Sequence, residues 1–196
     1  MSELIKSIFR EYDIRGVFPD ELNENSIAKI AKSIAHKCYK ESVDEVVIAR
    51  DGRLSGPSLL ESLQESLNKY GINTINLGLA TSPLLYYAAK KLASKSGIMI
   101  TGSHNPKNYN GIKLVIDDKP VSGIEIFELS KTDISLENSN GKNRFLDIKD
   151  EYINEVKSSF NFKKLKVVVD CGKWCSRNYC SRIIKSSWLR GDRNIL

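Results

Sequence analysis

The sequence predicts an α/β fold, a three-layer sandwich in which helices cover both faces of a mixed, mostly parallel sheet. Short β-branched runs alternate with segments of helical periodicity between residues 8 and 116, and this alternation is typical of parallel sheets. The runs 96–101 and 111–116 are separated by a loop too short for a helical crossover, which predicts an antiparallel pair there. A further apolar run at 165–172 predicts a fragment of a second α/β domain.

The first segments of the chain predict one extended stretch and one amphipathic helix. Residues 8–14 are predicted to be extended. Apolar residues then recur at i, i+3 and i+4 over 25–40, which predicts a helix capped by Asn23 or Asn25. Cys38 belongs to this apolar pattern and is interpreted as a small buried hydrophobic residue.

The central part of the chain predicts alternating strands and helices. Runs rich in Val and Ile favour strands, and Pro57 near the start of a periodic segment is typical of a first helical turn. The predicted strands lie at 43–49, 72–78, 96–101 and 111–116, and the predicted helices at 57–70 and 82–93.

The C-terminal third divides the chain into predicted domains. Residues 122–160 are predicted to form one or two helices around the polar stretch 135–144, the second of them over 146–160. The predicted organisation is therefore a first domain over 1–145, a linker helix and first strand of a second domain over 146–172, and an aberrant tail over 173–196.

The charge distribution argues against a nucleic-acid partner. The chain carries a net charge of +6, but residues 171–196 hold six basic residues and one acidic residue, so the remaining 170 residues have a net charge of only +1. A nucleic-acid-binding face would need a basic patch on the folded body. No apolar run of about 18 residues indicates a membrane span, and the N-terminus does not resemble a signal peptide, so the expected location is cytoplasmic.

The loop after the strand at 96–101 holds the candidate site. Ser103-His104-Asn105-Pro106 follows that strand directly, and ligand sites in open α/β sheets lie at the carboxyl ends of strands. On chemistry alone the segment fits an ordinary polar turn better than a site. A hydrolase nucleophile is disfavoured because no Gly-x-Ser-x-Gly turn is present.

The order of four segments changes this interpretation. These segments are FREYDIRG (9–16), ARDGRLSGP (49–57), ATSPLLYYA (80–88) and TGSHNPKNYNGIKL (101–114). Each resembles a signature of the phosphohexomutases, and the Thr-Gly-Ser form resembles the phosphomannomutase/phosphoglucomutase branch. All four occur in the family's order within residues 8–125, which is more specific than any one motif.

The resemblance implies that Ser103 is phosphorylated and donates its phosphoryl group to a hexose monophosphate. The product would be a hexose 1,6-bisphosphate, so that phosphate moves between C1 and C6. The other site residues implied are His104 and Lys113 in catalysis, with Lys113 assisting proton transfer or holding phosphoryl oxygens, and Tyr12, Arg15 and Asn105 in binding substrate or phosphate. For Arg53 the sequence leaves a site role and a solvated surface charge equally open.

The resemblance also implies Mg²⁺, with the phosphate of Ser103 as one ligand. In the family an Asp-Gly-Asp-x-Asp loop of the second domain holds this ion, and the present sequence contains no such loop. The family's sugar-selecting and phosphate-binding loops, in its third and fourth domains, are also absent. The chain alone is therefore expected to be inactive. Its residues do not indicate whether mannose or glucose phosphate is preferred, because the selecting loop is absent. Three alternatives stay open: a mutase completed by a separate chain, a non-catalytic remnant, and a small sugar-phosphate-binding or regulatory module.

Residues 173–196 are predicted to be a frameshifted tail without regular packing. Lys173-Trp174-Cys175 can be encoded AAA-TGG-TGY, and loss of one A gives codons for Asn-Gly. The shifted reading Asp-Cys-Gly-Asn-Gly resembles the opening of the family's second domain. The expectation is that the shifted downstream frame encodes Asp-Gly-Asp-x-Asp.

Overall fold

The computed structural model describes residues 4–92, 95–132 and 140–159. The chain divides into two compact units, with the boundary between Leu146 and Asp147. In the first unit a short 3₁₀ turn, Lys6–Ile8, precedes β1 (Ile14–Val17), α1 (Glu24–Lys40), β2 (Glu45–Arg50), α2 (Gly56–Lys69), β3 (Asn73–Leu79), α3 (Ser82–Lys91), β4 (Gly97–Ile100), β5 (Tyr109–Ile116), β6 (Lys119–Val121), α4 (Gly123–Ser130) and β7 (Asn143–Phe145). The second unit contributes α5 (Lys149–Ser158).

One mixed sheet forms the centre of the first unit. Its strand order is β1-β5-β4-β2-β3-β7, with β6 beside β5. Among the described residues, β4, β2, β3 and β7 pair in parallel, whereas β5 is antiparallel to each of its partners. The mixed sheet and the antiparallel β4–β5 pair are thus as the sequence predicted.

Helices pack on both faces of the sheet, which confirms the three-layer sandwich. Alternate positions of β2 and β4, such as Val46 and Ile98, belong to the apolar core shared with α1 and α2. α3 packs against the opposite face. This contact is visible at Gly97 of β4, where an added methyl group would lie 3.3 Å from the side chain of Leu85 in α3. Gly97 and Ile98 are consecutive residues of β4, and consecutive residues of a strand point to opposite faces of the sheet.

The start of α1 shows how local chemistry sets an element boundary. The side chain of Asn23 accepts a hydrogen bond from the Ser26 amide at 3.0 Å, and the Asn23 amide donates to the Ser26 hydroxyl at 2.8 Å. This reciprocal pair satisfies donors that a helix start leaves unpaired. Further along, Cys38 is fully buried and burial raises the pKa of its thiol to about 12. The interpretation of Cys38 as a buried hydrophobic residue is confirmed.

Two short elements differ from the sequence prediction. The strand predicted at 8–14 begins only at Ile14, because the chain reverses over 10–13, where the Arg10 amide donates to the Asp13 carbonyl at 2.8 Å. The sequence predicts a loop over 135–144, whereas residues 143–145 form β7, a strand whose three residues are all exposed. Backbone hydrogen bonds to β3 hold it, such as the Thr74 amide to the Lys142 carbonyl at 2.8 Å.

The predicted helices between 122 and 160 correspond to α4 and α5, and α5 is shorter at both ends than the predicted range 146–160. The predicted strand 165–172 and the predicted tail 173–196 lie outside the described residues. Within the described ranges, none of the helices has the length and apolar character needed to cross a membrane.

Replacement of Gly111 by alanine tests the sheet register. Gly111 lies opposite Arg15 in β1, and a methyl group there would collide with the Ile14 carbonyl oxygen and lie 3.1 Å from that of Thr101. Because backbone atoms of two strands must move, we expect Gly111→Ala to lower the free energy of unfolding in urea by about 3 kcal/mol. Gly52→Ala is the control, since nothing lies within 4 Å of its added methyl group. Equal stabilities of the two variants would contradict the register.

Candidate functional site

The serine loop, defined as residues 101–110, begins at the carboxyl end of β4 and includes the first two residues of β5. Ser103 is half-buried in this loop and its φ is +52°. Residues with a side chain rarely adopt this left-handed conformation, and holding one there costs about 1–3 kcal/mol. The Ser103 hydroxyl lies 3.3 Å from Nδ1 of exposed His104. The loop must therefore be held by contacts that outweigh this strain.

The first such contacts come from Asp51, which follows β2. Its carboxylate is 5% exposed and accepts hydrogen bonds from the Thr101 hydroxyl at 2.8 Å and the Gly102 amide at 3.2 Å. The Thr101 hydroxyl oxygen in turn accepts from the Ser103 amide at 2.9 Å. Asp51 also accepts from the Arg53 amide at 3.0 Å. One buried carboxylate thus joins the loop after β2 to the start of the serine loop.

The guanidinium group of Arg53 provides the remaining contacts. Nη1 donates to the carbonyl oxygens of Pro106 at 2.6 Å and Tyr109 at 2.8 Å. Nη2 donates to those of Ser103 at 3.1 Å and Asn105 at 2.7 Å. The Arg53 side chain is only 11% exposed. The alternative that Arg53 is a solvated surface charge is therefore wrong. Its side chain packs against the serine loop and binds the backbone of that loop.

Gly102 and Asn105 also shape the serine loop around the Arg53 side chain. A methyl group on Gly102 would collide with the Arg53 guanidinium, so glycine is required for this close approach. Nε of Arg53 lies 3.4 Å from a carboxylate oxygen of Asp51, an ion-pair contact without hydrogen-bond geometry. The Asn105 side-chain amide and backbone amide both donate to the Gly102 carbonyl, at 2.8 and 3.0 Å. The Asn105 side chain is thus engaged within the loop.

A second group of site residues surrounds Asp13. This carboxylate is 4% exposed and pairs with Arg15, whose Nη2 and Nε lie 2.7 and 2.8 Å away. Nζ of Lys113, on the adjacent β5, lies 3.5 Å from the same carboxylate. The structure therefore brings the predicted residues Arg15 and Lys113 together through an acid that the sequence reasoning missed. Its position two residues before Arg15 in FREYDIRG is the signal that could have identified it.

The sheet register relates the Asp13 group to the serine loop. Gly111 of β5 pairs with Arg15 on one side, and on the other side its carbonyl accepts from the Thr101 amide at 2.9 Å. Lys113 pairs with Met99, two residues before Thr101. Arg15 is thus in register with the start of the serine loop, and Lys113 lies beside the preceding part of β4.

Tyr12 projects from the turn that precedes β1. It is 80% exposed and, with Lys113, lines one side of a cleft of about 380 Å³ that also includes Tyr86, Lys90 and Lys95. Burial raises the pKa of Tyr86. The exposure of Tyr12 leaves its ring accessible to a bound molecule.

The described residues do not make a magnesium site by themselves. Among residues 4–92, 95–132 and 140–159, no group of three His, Cys, Asp or Glu side chains could hold a metal ion. The two carboxylates near the serine loop, Asp51 and Asp13, are already engaged with Arg53, Arg15 and Lys113. A Mg²⁺ ion prefers near-octahedral oxygen ligands, and a single phosphate on Ser103 would supply too few of them.

Comparison with known proteins identifies the family. Residues 6–131 match the family described as phosphoglucomutase/phosphomannomutase, alpha/beta/alpha domain I. The chain therefore belongs to the phosphoglucomutase/phosphomannomutase family. Its described fold up to α4 corresponds to the first domain of that family.

Individual relatives agree with this assignment. The chain is 40% identical over 184 residues to a phosphomannomutase/phosphoglucomutase of Pseudomonas syringae, covering 92% of the chain and 39% of the relative. It is 33% identical over 190 residues to a phosphoglucomutase of Neisseria meningitidis, covering 94% and 41%. A crystal structure of a family protein from Burkholderia thailandensis superposes with a TM-score of 0.86 at 33% identity, covering 94% of the chain and 43% of that structure. The chain spans about two fifths of the length of these relatives.

The variant Asp13→Asn tests the ion-pair group. Loss of one partner from a buried ion pair costs about 3–5 kcal/mol. Solvent reaches about a quarter of the Arg15 side chain and a third of that of Lys113, so we expect a loss of about 2 kcal/mol in the free energy of unfolding here. Two cations without their shared carboxylate repel, so added salt should reduce the loss.

The control for this variant is Asp118→Asn, whose carboxylate is half-exposed and 3.8 Å from Lys90. It should change the free energy of unfolding by less than about 0.5 kcal/mol. A loss at Asp13 no larger than this, in low salt, would contradict the assigned role of Asp13.

Proposed function

We propose that Ser103 carries the phosphoryl group in a phosphomannomutase/phosphoglucomutase-type isomerase, which moves phosphate between C1 and C6 of a hexose. One observation carries the proposal: a half-exposed serine stands on a firmly held loop just beyond Thr101, which bonds to Gly111, the partner of Arg15 in the sheet, and Arg15 shares the Asp13 carboxylate with Lys113. Membership of the family supports the same role. Both mannose and glucose phosphates fit the chemistry proposed.

The proposed reaction is a pair of phosphoryl transfers. The phosphorus–oxygen bond to Ser103 breaks as a hydroxyl oxygen of the hexose monophosphate bonds to phosphorus, and the proton of that hydroxyl leaves to a base. This gives a hexose 1,6-bisphosphate and a free serine side chain, which regains a proton. The bisphosphate then presents its other phosphate to Ser103. The serine oxygen loses its proton and bonds to that phosphorus as the bond from phosphorus to the sugar oxygen breaks. The sugar oxygen takes up a proton, and the isomeric monophosphate leaves.

The charges near Ser103 suit this chemistry. A phosphoserine carries about −1.5 to −2 charges near neutral pH. Arg15, Lys113 and Asp13 together carry a net charge of +1, with both cations partly open to solvent. Because phosphoryl transfer depends chiefly on positioning and on neutralising charge, we assign Arg15 and Lys113 to the phosphoryl oxygens. Lys113 is also suited to move the hydroxyl proton.

The remaining residues have narrower proposed roles. His104, within 3.3 Å of the Ser103 hydroxyl, is proposed to exchange a proton with it. Asn105 is proposed to act by shaping the loop through its bonds to Gly102, and Tyr12 to contact the sugar from its exposed turn. Mg²⁺ is proposed to bind an oxygen of the Ser103 phosphate, with its other ligands supplied from outside the described residues.

The activity of the whole protein is proposed to require more than this chain. Transfer through a bisphosphate needs a site that excludes water, and residues 1–196 span about two fifths of the length of their relatives. We propose that parts outside residues 1–196, on the same chain or on a separate one, complete this site, and that the protein acts in the cytoplasm.

We predict that residues 1–196 alone do not interconvert hexose phosphates. Purified chain should show no turnover with mannose 1-phosphate or glucose 1-phosphate, with or without Mg²⁺ and glucose 1,6-bisphosphate. A coupled assay for the 6-phosphate product measures this. Turnover that disappears in Ser103→Ala would contradict the prediction.

The role of Ser103 can be tested in a chimera in which residues 1–146 replace the corresponding part of the Pseudomonas syringae relative. We expect the chimera to interconvert hexose phosphates and Ser103→Ala to lower kcat at least about a thousandfold, because the nucleophile is lost. Ser66→Ala, on α2, is the matched control and should leave kcat unchanged. A chimera that keeps its activity in Ser103→Ala would overturn the proposed function.

A further inference from the structure

We propose that Arg53 is a positioning residue for phosphoryl transfer, acting with Asp51 to fix the backbone of Ser103. This inference rests on the proposed function of Ser103. It assigns Arg53 to the protein scaffold of the reaction and not to the phosphate. Its basis is the set of contacts that hold the serine loop.

Both the backbone amide and the backbone carbonyl of Ser103 are held by hydrogen bonds. Its amide donates to the Thr101 hydroxyl at 2.9 Å, and that hydroxyl donates to Asp51 at 2.8 Å. Its carbonyl accepts from Arg53 at 3.1 Å, and the Arg53 amide donates to Asp51 at 3.0 Å. The left-handed backbone of Ser103 is therefore fixed on both sides by one connected network.

The guanidinium group suits this task better than any other side chain. It is planar and presents its N–H donors in fixed directions, and four of its hydrogen bonds reach carbonyl oxygens spread over residues 103–109. A lysine ammonium has three donors at one point and cannot span these oxygens. With the Arg53 side chain 11% exposed, water does not easily take the place of lost bonds.

The network leaves the reactive group out. Within Ser103 the network contacts only the backbone: Arg53 donates to its carbonyl oxygen, and its amide donates to the Thr101 hydroxyl, which donates to Asp51. In the described part of the chain, the hydrogen-bond contact of the Ser103 hydroxyl is with exposed His104. The loop is thus held without using the oxygen that would carry phosphate, and both terminal nitrogens of Arg53, Nη1 and Nη2, already donate to carbonyl oxygens.

This division of roles predicts a particular kinetic effect. Misplacing a reacting atom by about 1 Å can cost about a hundredfold in rate. Because the hydrogen bonds of Arg53 go to the protein backbone, its loss should lower kcat and leave KM nearly unchanged. A residue that bound the substrate in its ground state would instead change KM.

The test compares Arg53→Lys with Arg144→Lys, an exposed arginine of β7 paired with Glu45 at 3.5 Å. In the full chain, hydrogen exchange should rise at least about tenfold at the amides of Ser103, Asn105 and Tyr109 in Arg53→Lys, and at none of them in Arg144→Lys. In the chimera, Arg53→Lys should lower kcat about a hundredfold with KM within about threefold of its original value. Arg144→Lys should change neither constant.

A third variant covers the case in which Arg53→Lys does not fold. Arg53→Ala removes the group, and methylguanidinium added to the chimera should restore kcat and slow exchange in the serine loop. Unchanged kcat in a folded Arg53→Lys, a rise in KM alone, or no restoration by methylguanidinium would overturn the proposal. Activity that survives in Ser103→Ala would refute the proposed function instead, whereas the exchange experiment would still report on the network.

Discussion

The hydrogen bonds from Arg53 to four carbonyl oxygens hold the serine loop in a conformation that a serine would not adopt by itself. Several other features follow from them. Gly102 must lack a side chain because the guanidinium passes against it, and Asp51 must be an acid because it neutralises Arg53 and anchors Thr101. Parallel pairing of β2 with β4 makes this network feasible, since it places the loop after β2 beside the loop after β4.

The antiparallel half of the sheet provides the charge that the loop lacks. The network under the serine loop is itself nearly neutral, because the carboxylate of Asp51 faces the guanidinium of Arg53. The cations that we propose to contact the phosphate lie on β1 and β5, where both Arg15 and Lys113 pair with the Asp13 carboxylate. β5 connects this group to the strand that carries the serine loop, because it pairs with both β1 and β4. In the proposed function, positioning and charge neutralisation are thus provided by different strands.

The sequence predicted those features that depend on local periodicity or on a contiguous motif. The helix over 25–40 and the strands at 43–49 and 96–101 agree with α1, β2 and β4 to within two residues, because burial on one face imposes a regular pattern. The role of Arg53 could not be predicted, since its partners are backbone carbonyls about fifty residues further along the chain. β7 was missed because exposed strand residues leave no apolar pattern.

The most direct measurement is a crystal structure of the full chain with phosphoserine incorporated at position 103. We expect the backbone of residues 101–110 to stay in place and Arg53 to keep its bonds to the four carbonyl oxygens. The phosphate should point toward Arg15 or Lys113. A structure in which Arg53 turns to bind the phosphate, or in which the phosphate points away from both cations, would contradict the account.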